Sequence, residues 1–495
     1  MTETTTGRGT TRTAAGQRPA TGSGRTERIR TLLDRLRDGQ VGDPLRSLPF
    51  HWPVLAFWAA FWCNVMITRT RSGRGWNPSW HFAAAGARLL FQVPAAHGGG
   101  LDLFVSHPDL QSGPLTFLLA EPITLLGGRN GLYPAQVVMT ALGLVALIAL
   151  ERAAFAHRTE VTASRIRWTV LGGGLLLLPV WAYAGVFWGH FDDVLALLFA
   201  ALALWALAAR KPLLVGLCLA LAIDAKPWAA GFSALLLAVP GGWSWRSPRL
   251  RALGLLVLAV CALWLPFVIA DSHTLDSLSS FTIQNTQDSA LRALGVTDPG
   301  TPSWDRSTQI VFGCVLGLVA VWRRNWPAVL LLGVCARLIL EPGDYPYYYL
   351  GLLVGALAWD LLSARRPAPL GTLAVTTAFF AFVPLAAMPH IQGQCKLGAM
   401  IVIVLAVLLA PAARSGPDAA AKPGARTGDD TEADGADGAD GEPAGKPANE
   451  PADTMAAAVI TPTPLEPPAD PARRMLKRRA TPRPEPTLRE LARHS

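Results

Sequence analysis

Between residues 50 and 413 the chain is a succession of about a dozen apolar stretches, each closed by Pro, Gly or Arg. About 20 apolar residues in a helix span the hydrocarbon of a bilayer, and only helices or closed barrels satisfy their backbone there. The patterning therefore predicts an all-α, polytopic integral membrane protein. Composition agrees: 51% of the residues are hydrophobic and 16% are charged, too apolar for a soluble enzyme of this size.

Spans are expected near 50–68, 130–152, 166–187, 193–209, 212–224, 226–240, 250–270, 308–322, 326–340, 345–363, 368–388 and 396–413, twelve in all. A thirteenth stretch, 112–127, is short and carries Glu121-Pro122 in its middle; it suits a re-entrant or interfacial helix. Residues 1–46 are rich in Arg, Thr and Gly, and residues 414–495 in Ala, Pro and charge. Neither end carries enough apolar surface to fold alone, so both are expected to be disordered tails flanking one membrane domain, 47–413. No cleavable signal peptide is expected, because the first apolar run is followed by Arg and not by a small-residue cleavage site. Cys63, Cys218, Cys261, Cys314, Cys335 and Cys395 are scattered without metal-ligand spacing and are expected to be small apolar side chains.

The net charge of +9 sits in short loops and tails. No groove-binding motif accompanies it, so nucleic acid is not an expected partner, and the basic loops are explained by their preference for the cytoplasmic side. With the N-terminus inside and 112–127 not spanning, Arg152 to Arg167, Arg210-Lys211, Arg246 to Arg251, Arg323-Arg324 and Arg365-Arg366 all fall inside. Both termini are then cytoplasmic in a cell membrane. The opposite face receives a large first loop, 69–129, a second at 271–307, and short turns at 188–193, 224–227, 341–345 and 389–395. Within the first loop, the stretch from Trp80 to Phe91 is expected to lie along the membrane surface.

The outer face gathers Asp102, His107, Asp109 and Gln111 from the first loop, then His190, Asp192 and Asp193, then Asp224 and Lys226. Arg337, Glu341, Asp344, the Tyr345 to Tyr349 run, His390 and Lys396 follow. Ionisable groups at the edge of hydrocarbon are expensive and by default functional. Carboxylates beside cations suit group transfer from a phosphorylated lipid, the acid taking the acceptor proton and the cations stabilising the departing phosphate.

Two stretches carry a family resemblance. Trp188-Gly189-His190-Phe191-Asp192-Asp193, a basic turn at Arg210-Lys211, and Ala222-Ile223-Asp224-Ala225-Lys226-Pro227-Trp228 resemble a pattern of GT-C fold glycosyltransferases. The pattern is most similar to that of actinobacterial polyprenol-phosphate-mannose-dependent α-mannosyltransferases. His107-Pro108-Asp109-Leu110-Gln111 stands where those enzymes carry a Tyr-Pro-Pro-Leu-like stretch. The resemblance implies transfer of a sugar, mannose-like, from a polyprenyl-phosphate carrier to an extracytoplasmic glycolipid, glycan or protein, with an acid of the first outer loop as general base. The early Asp of that family has no counterpart here, where the chain reads Arg74-Gly75-Trp76-Asn77-Pro78-Ser79.

The catalytic acid is thereby one of Asp102, Asp109 or Asp192. Substrate contacts are assigned to His107, Gln111, His190, Asp193, Lys226, Arg337 and Tyr347. Two acids can hold a divalent cation, although no strict ligand triad stands in the sequence.

Each residue also has a structural reading. Asp192 and Asp193 suit a helix N-terminus, and Asp109 a Pro-flanked turn. Lys226 suits snorkelling, or a pair with Asp224 within one turn. Arg337 is one turn before Glu341, and the tyrosines suit an interfacial belt. The rival function is a transporter or flippase for a lipid-linked or anionic solute. Such proteins often carry repeats with broken helices, and no duplication is visible in this sequence.

Overall fold

The computed structural model describes residues 49–71, 78–127, 131–343, 345–364 and 367–410. Both expected tails, residues 72–77, Asp344 and the Arg365-Arg366 pair lie outside the described residues. Of the described residues 78% are helical, and none is in a strand.

In chain order the main helices are α1 (His51–Arg69), α2 (Pro78–Gln92), α3 (Pro114–Leu125), α4 (Leu132–His157), α5 (Ala163–Ala182), α6 (Phe191–Ala208) and α7 (Pro212–Ala225). A 3₁₀ segment, Pro227–Ala238, follows, then α8 (Pro248–Ala270), α9 (Asp305–Trp322), α10 (Val329–Leu340), α11 (Tyr349–Leu362), α12 (Leu370–Thr377) and α13 (Pro389–Leu409).

Five helical stretches are long and apolar enough to cross a membrane: Leu132–His157, Ala163–Phe187, Phe191–Ala208, Pro248–Ala270 and Pro389–Leu409. Helix stands at each of the other expected spans as well, in shorter or less apolar pieces. The ambiguous stretch 112–127 forms α3, whose 12 residues cover about 18 Å, too little for a hydrocarbon layer of about 30 Å. The stretch 226–240 differs from expectation in kind, being 3₁₀ helix and not α. At about 2.0 Å per residue a 3₁₀ helix is longer than an α-helix of the same residue number, so 12 residues reach about 24 Å.

Burial separates an inner set of helices from an outer one. After its two acids α6 is an unbroken run of Leu, Ala, Phe, Val and Trp, most of them strong helix formers. Every α6 residue except Phe199, Leu202, Trp205 and Ala208 is buried. Those four recur every third position, so the line they form winds around the helix as it rises. All of α10 is buried, as is nearly all of α11.

By contrast, α8 buries only Ala252, Leu256 and Phe267, and α13 only Gly393, Lys396, Met400 and Val407. Val257, Leu258, Leu265 and Ile269 of α8 are at least half exposed. Apolar faces of that extent are solvated by lipid tails, not by water.

The packing that matters for the site is the hairpin of α6 and α7, flanked by α4 on one side and α8 on the other. At Gly216 a Cβ would stand 2.1 Å from the Ala252 carbonyl oxygen, so α7 and α8 cross at a separation that only glycine permits. Helix α9 packs between the 3₁₀ segment and α10.

Candidate functional site

The hairpin sets the N-terminus of α6 beside the C-terminus of α7, and the acids and the lysine that interrupt the apolar pattern stand at those two ends. Helix α5 closes in a π-helical turn, Tyr183–Phe187. Gly189, in the left-handed region at φ 73°, then reverses the chain so that His190 precedes α6. Asp192 and Asp193 fall in the first turn of α6, where carboxylates are favoured by the helix dipole.

Pro227 fixes the other end. A residue before proline is driven out of the helical region, and Lys226 is extended, at φ −149° and ψ 114°. Its side chain thereby leaves the axis of α7 and forms an ion pair with Asp192. The pairing of Lys226 with Asp224 expected from sequence proximity does not form. Asp224 is fully buried and forms no ion pair among the described residues.

A third element is pinned to these two. The Gly113 N–H donates to the Ala225 carbonyl at 2.9 Å, and the Thr116 hydroxyl donates to the same oxygen at 3.0 Å. At Gly113 a Cβ would lie 2.0 Å from the Asp224 carbonyl oxygen. The start of α3 therefore rests directly on the end of α7, and Ser112 donates to Asp192 Oδ2 at 2.8 Å. Asp192 Oδ1 accepts the Asp193 backbone N–H at 2.9 Å. Asp192 thus does more than cap its helix: it ties α3, α6 and Lys226 together.

Behind this pair lies a second one. Asp193 Oδ1 accepts from the Trp228 indole at 3.0 Å and faces Arg337 Nη1 at 3.5 Å. The Arg337 Nε also donates to Glu341 at 3.3 Å. Its guanidinium is sandwiched between the rings of Trp228 and Tyr348, 4.4 and 4.5 Å from their centroids, a geometry that favours a cation. Burial pushes the Glu341 carboxyl above its ordinary range, with the Arg337 guanidinium opposing. The sequence offered Arg337 either Glu341 or a bound anion; its partners are Glu341 and Asp193 together.

These groups open on a cavity of about 640 Å³. Its wall includes Asp109, Gln111, Ser112, His190, Asp192, Lys226, Arg337, Glu341 and Tyr347, contributed by stretches of chain far apart in sequence. The aromatic side is a column in which the Tyr347 ring stacks on His190 at 3.7 Å and on Tyr345 at 5.4 Å. Tyr347 is buried, so it is a wall of the cavity and not part of an exposed belt. His190 Nε2 meets Ser79 Oγ at 3.0 Å, and its Nδ1 faces Asp193 Oδ2 at 3.5 Å and Asp192 Oδ1 at 3.8 Å.

Among the candidates named from sequence, Asp109, Gln111, His190, Asp192, Lys226, Arg337 and Tyr347 line the cavity, and Asp193 is bonded directly behind it. Asp102 and His107 sit in the preceding turns and do not line it. Lys396 is held elsewhere, donating to the Asp288 carbonyl at 2.8 Å, and His390 is exposed at the start of α13.

Among the wall residues that were not anticipated are Asp305, Arg306 and Gln309 at the start of α9. Arg306 donates to Gln111 Oε1, and at 2.9 Å to the Phe281 carbonyl. Asp305 accepts from Gln309 at 2.9 Å. Their signal in the sequence is an acid-base pair followed by an amide one turn on, opening an otherwise apolar helix.

His190, Asp192 and Asp193 offer three ligand atoms within 4.8 Å of one another, the donor set a divalent cation would use. Both carboxylates already face cationic side chains, Lys226 and Arg337. A metal would have to displace that charge, so the set fits an ion-paired site better than a metal centre. In contrast to Asp192 and Asp193, the Asp109 carboxylate has no hydrogen-bond or ion-pair partner among the described residues, although it stands on the cavity wall. No protein-family model, no curated protein and no solved structure matches this chain.

Proposed function

We propose that the chain is a multi-pass membrane glycosyltransferase of GT-C type. In this reading the twelve apolar segments span a cell membrane with both termini cytoplasmic. The cavity takes the head of a polyprenyl-phosphate sugar, mannose-like, together with an extracytoplasmic acceptor. The observation that carries the reading is the unpaired Asp109 carboxylate on the same wall as Lys226, Arg306 and Arg337.

The division of labour follows from what each group already holds. Asp109 is uncommitted and takes the proton from the acceptor hydroxyl as that oxygen attacks the anomeric carbon. The bond from the anomeric carbon to the phosphate oxygen breaks, and the polyprenyl phosphate leaves with the bonding pair. Lys226 and Arg306 are placed to stabilise the departing phosphate. Asp192 is bound to Lys226 and Ser112 and acts by holding that ammonium in place. Arg337, clamped by two rings and two acids, is a positioning residue. Tyr345, the more exposed ring at the end of the stacked column, supplies a flat face of the kind sugars pack against.

The test is incubation of membranes containing the protein with radiolabelled polyprenyl-phosphate mannose. Label on a new acceptor supports transfer. Label that crosses the bilayer with no new bond supports a transporter or flippase and overturns the proposal. Asp109→Asn should lower transfer by about 10²- to 10⁴-fold, the range for loss of a general base. An unchanged rate would refute the assignment of the base.

A further inference from the structure

At the opposite end of the α6–α7 hairpin, a second cavity of about 230 Å³ opens where the chain turns from α6 into α7. Helix α6 has 18 residues, so the two cavities are separated by about 27 Å of helix. The floor of the second is apolar, made by Leu207, Pro212 and Val215 of the turn with Val239 and Pro240 from the end of the 3₁₀ segment. Its rim carries Arg210 and Lys211, and no carboxylate lines it.

Both cations are exposed, and neither makes a hydrogen bond or ion pair to protein among the described residues. Lys211 lies over the Trp205 ring at 4.6 Å. Arg210 is held in the left-handed region at φ 55°, uncommon for a residue other than glycine, which fixes where its side chain departs.

The neighbouring loop adds more of the same chemistry. Arg249 donates twice to the Val239 carbonyl, at 3.0 and 3.1 Å, and lies over the Trp243 ring at 5.2 Å. Trp243 and Trp245 are 62% and 92% exposed. Exposed tryptophans beside arginines at the end of apolar helices mark the headgroup level of a bilayer. The cavity thus combines an apolar floor at that level with two cations at its mouth that carry no ion pair among the described residues. That is the complement of one molecule: an anion carried on an acyl chain.

We infer that this cavity is a binding site for an anionic glycerophospholipid, with the phosphate on Arg210 and Lys211 and the upper acyl segment against Leu207, Val215 and Val239. The site is independent of the transferase reading. It sits at the other ends of the two helices that carry Asp192 and Lys226, so its occupant braces the hairpin that supports the first cavity.

Delipidated full-length protein in neutral detergent tests this by native mass spectrometry and thermal unfolding, titrated with phosphatidylglycerol, phosphatidylcholine or inorganic phosphate. Phosphatidylglycerol should bind with retained adducts and raise the unfolding midpoint, and phosphatidylcholine should do neither. The double variant R210N/K211Q keeps a residue that tolerates the left-handed region at 210. It should bind phosphatidylglycerol about 25-fold more weakly, at about fivefold per cation near an anionic headgroup. As a control for folding, its unfolding midpoint without lipid should match the parent's. Stabilisation by inorganic phosphate alone to the same degree would make the site a free-anion site and overturn the inference. Equal binding of both phospholipids, or undiminished phosphatidylglycerol binding by R210N/K211Q, would overturn it too.

Discussion

Replacing Lys226 by methionine tests the construction of the larger cavity without requiring knowledge of its substrate. The substitution keeps an unbranched side chain one atom shorter and removes its charge. Asp192 is then left with the Ser112 hydroxyl at 2.8 Å and the Asp193 N–H at 2.9 Å. Its side chain is only 8% exposed, against 17% for Lys226, so little water reaches the abandoned carboxylate. Breaking one side of a buried ion pair costs about 3–5 kcal/mol, and the two surviving charge-assisted hydrogen bonds place the loss at the lower end, about 3 kcal/mol. Asp192→Asn removes the opposite charge and should cost about 2 kcal/mol, because the better exposed Lys226 recovers some hydration.

In D192N/K226M neither buried charge remains. The double variant should therefore be less destabilised than the two single losses added together, by about 2 kcal/mol. Equilibrium unfolding of purified protein in mixed micelles with increasing SDS measures all three. Additivity of the single effects within about 0.5 kcal/mol, the behaviour of independent sites, would refute the ion pair as the tie between α6 and α7.

Two further outcomes follow from the same geometry. Gly113→Ala places a methyl group 2.0 Å from the Asp224 carbonyl oxygen; because backbone cannot swing aside, overpacking should cost about 1–3 kcal/mol in the same SDS titration, and transfer should fall with it. Arg306→Gln should weaken transfer at limiting donor by about tenfold or more, from the loss of a charge-assisted contact of about 1.5–3 kcal/mol, and leave the thermal midpoint within a few degrees; a fall in stability with no change in donor dependence would make Arg306 a strut for Gln111 and Phe281 alone.

The helical frame was legible because apolar runs end where charge, proline or glycine begins. Helix α6 was expected at 193–209 and occupies Phe191–Ala208. The convergence of His190, Asp192, Lys226 and Arg337 was legible for the related reason that charge is rare in such a chain, and rare charges meet one another.

What the sequence hid is pairing. Asp224 is two residues from Lys226, yet residues two apart on a helix point to different sides, and Pro227 swings Lys226 off the helix altogether. Its true partner, Asp192, is 34 positions away and becomes a neighbour only through the hairpin. Asp305 and Arg306 were obscured by their position at the end of a long polar loop, where charge is unremarkable until α9 carries it to the wall. The 3₁₀ winding of Pro227–Ala238 has no marker in an apolar periodicity only one residue in six off from the α repeat.

The sparse burial of α8 and α13 has a consequence for handling the molecule. With most of their side chains facing away from protein, these two outer staves keep their station partly through the solvent around them. A harsh detergent, competing for the same faces, would peel α13 and with it the Lys396 clasp on Asp288. The centre built of α6, α10 and α11 would still be closed on itself. Detachment of α13 would then precede any unfolding of the residues that form the cavity, to which α13 contributes no wall residue.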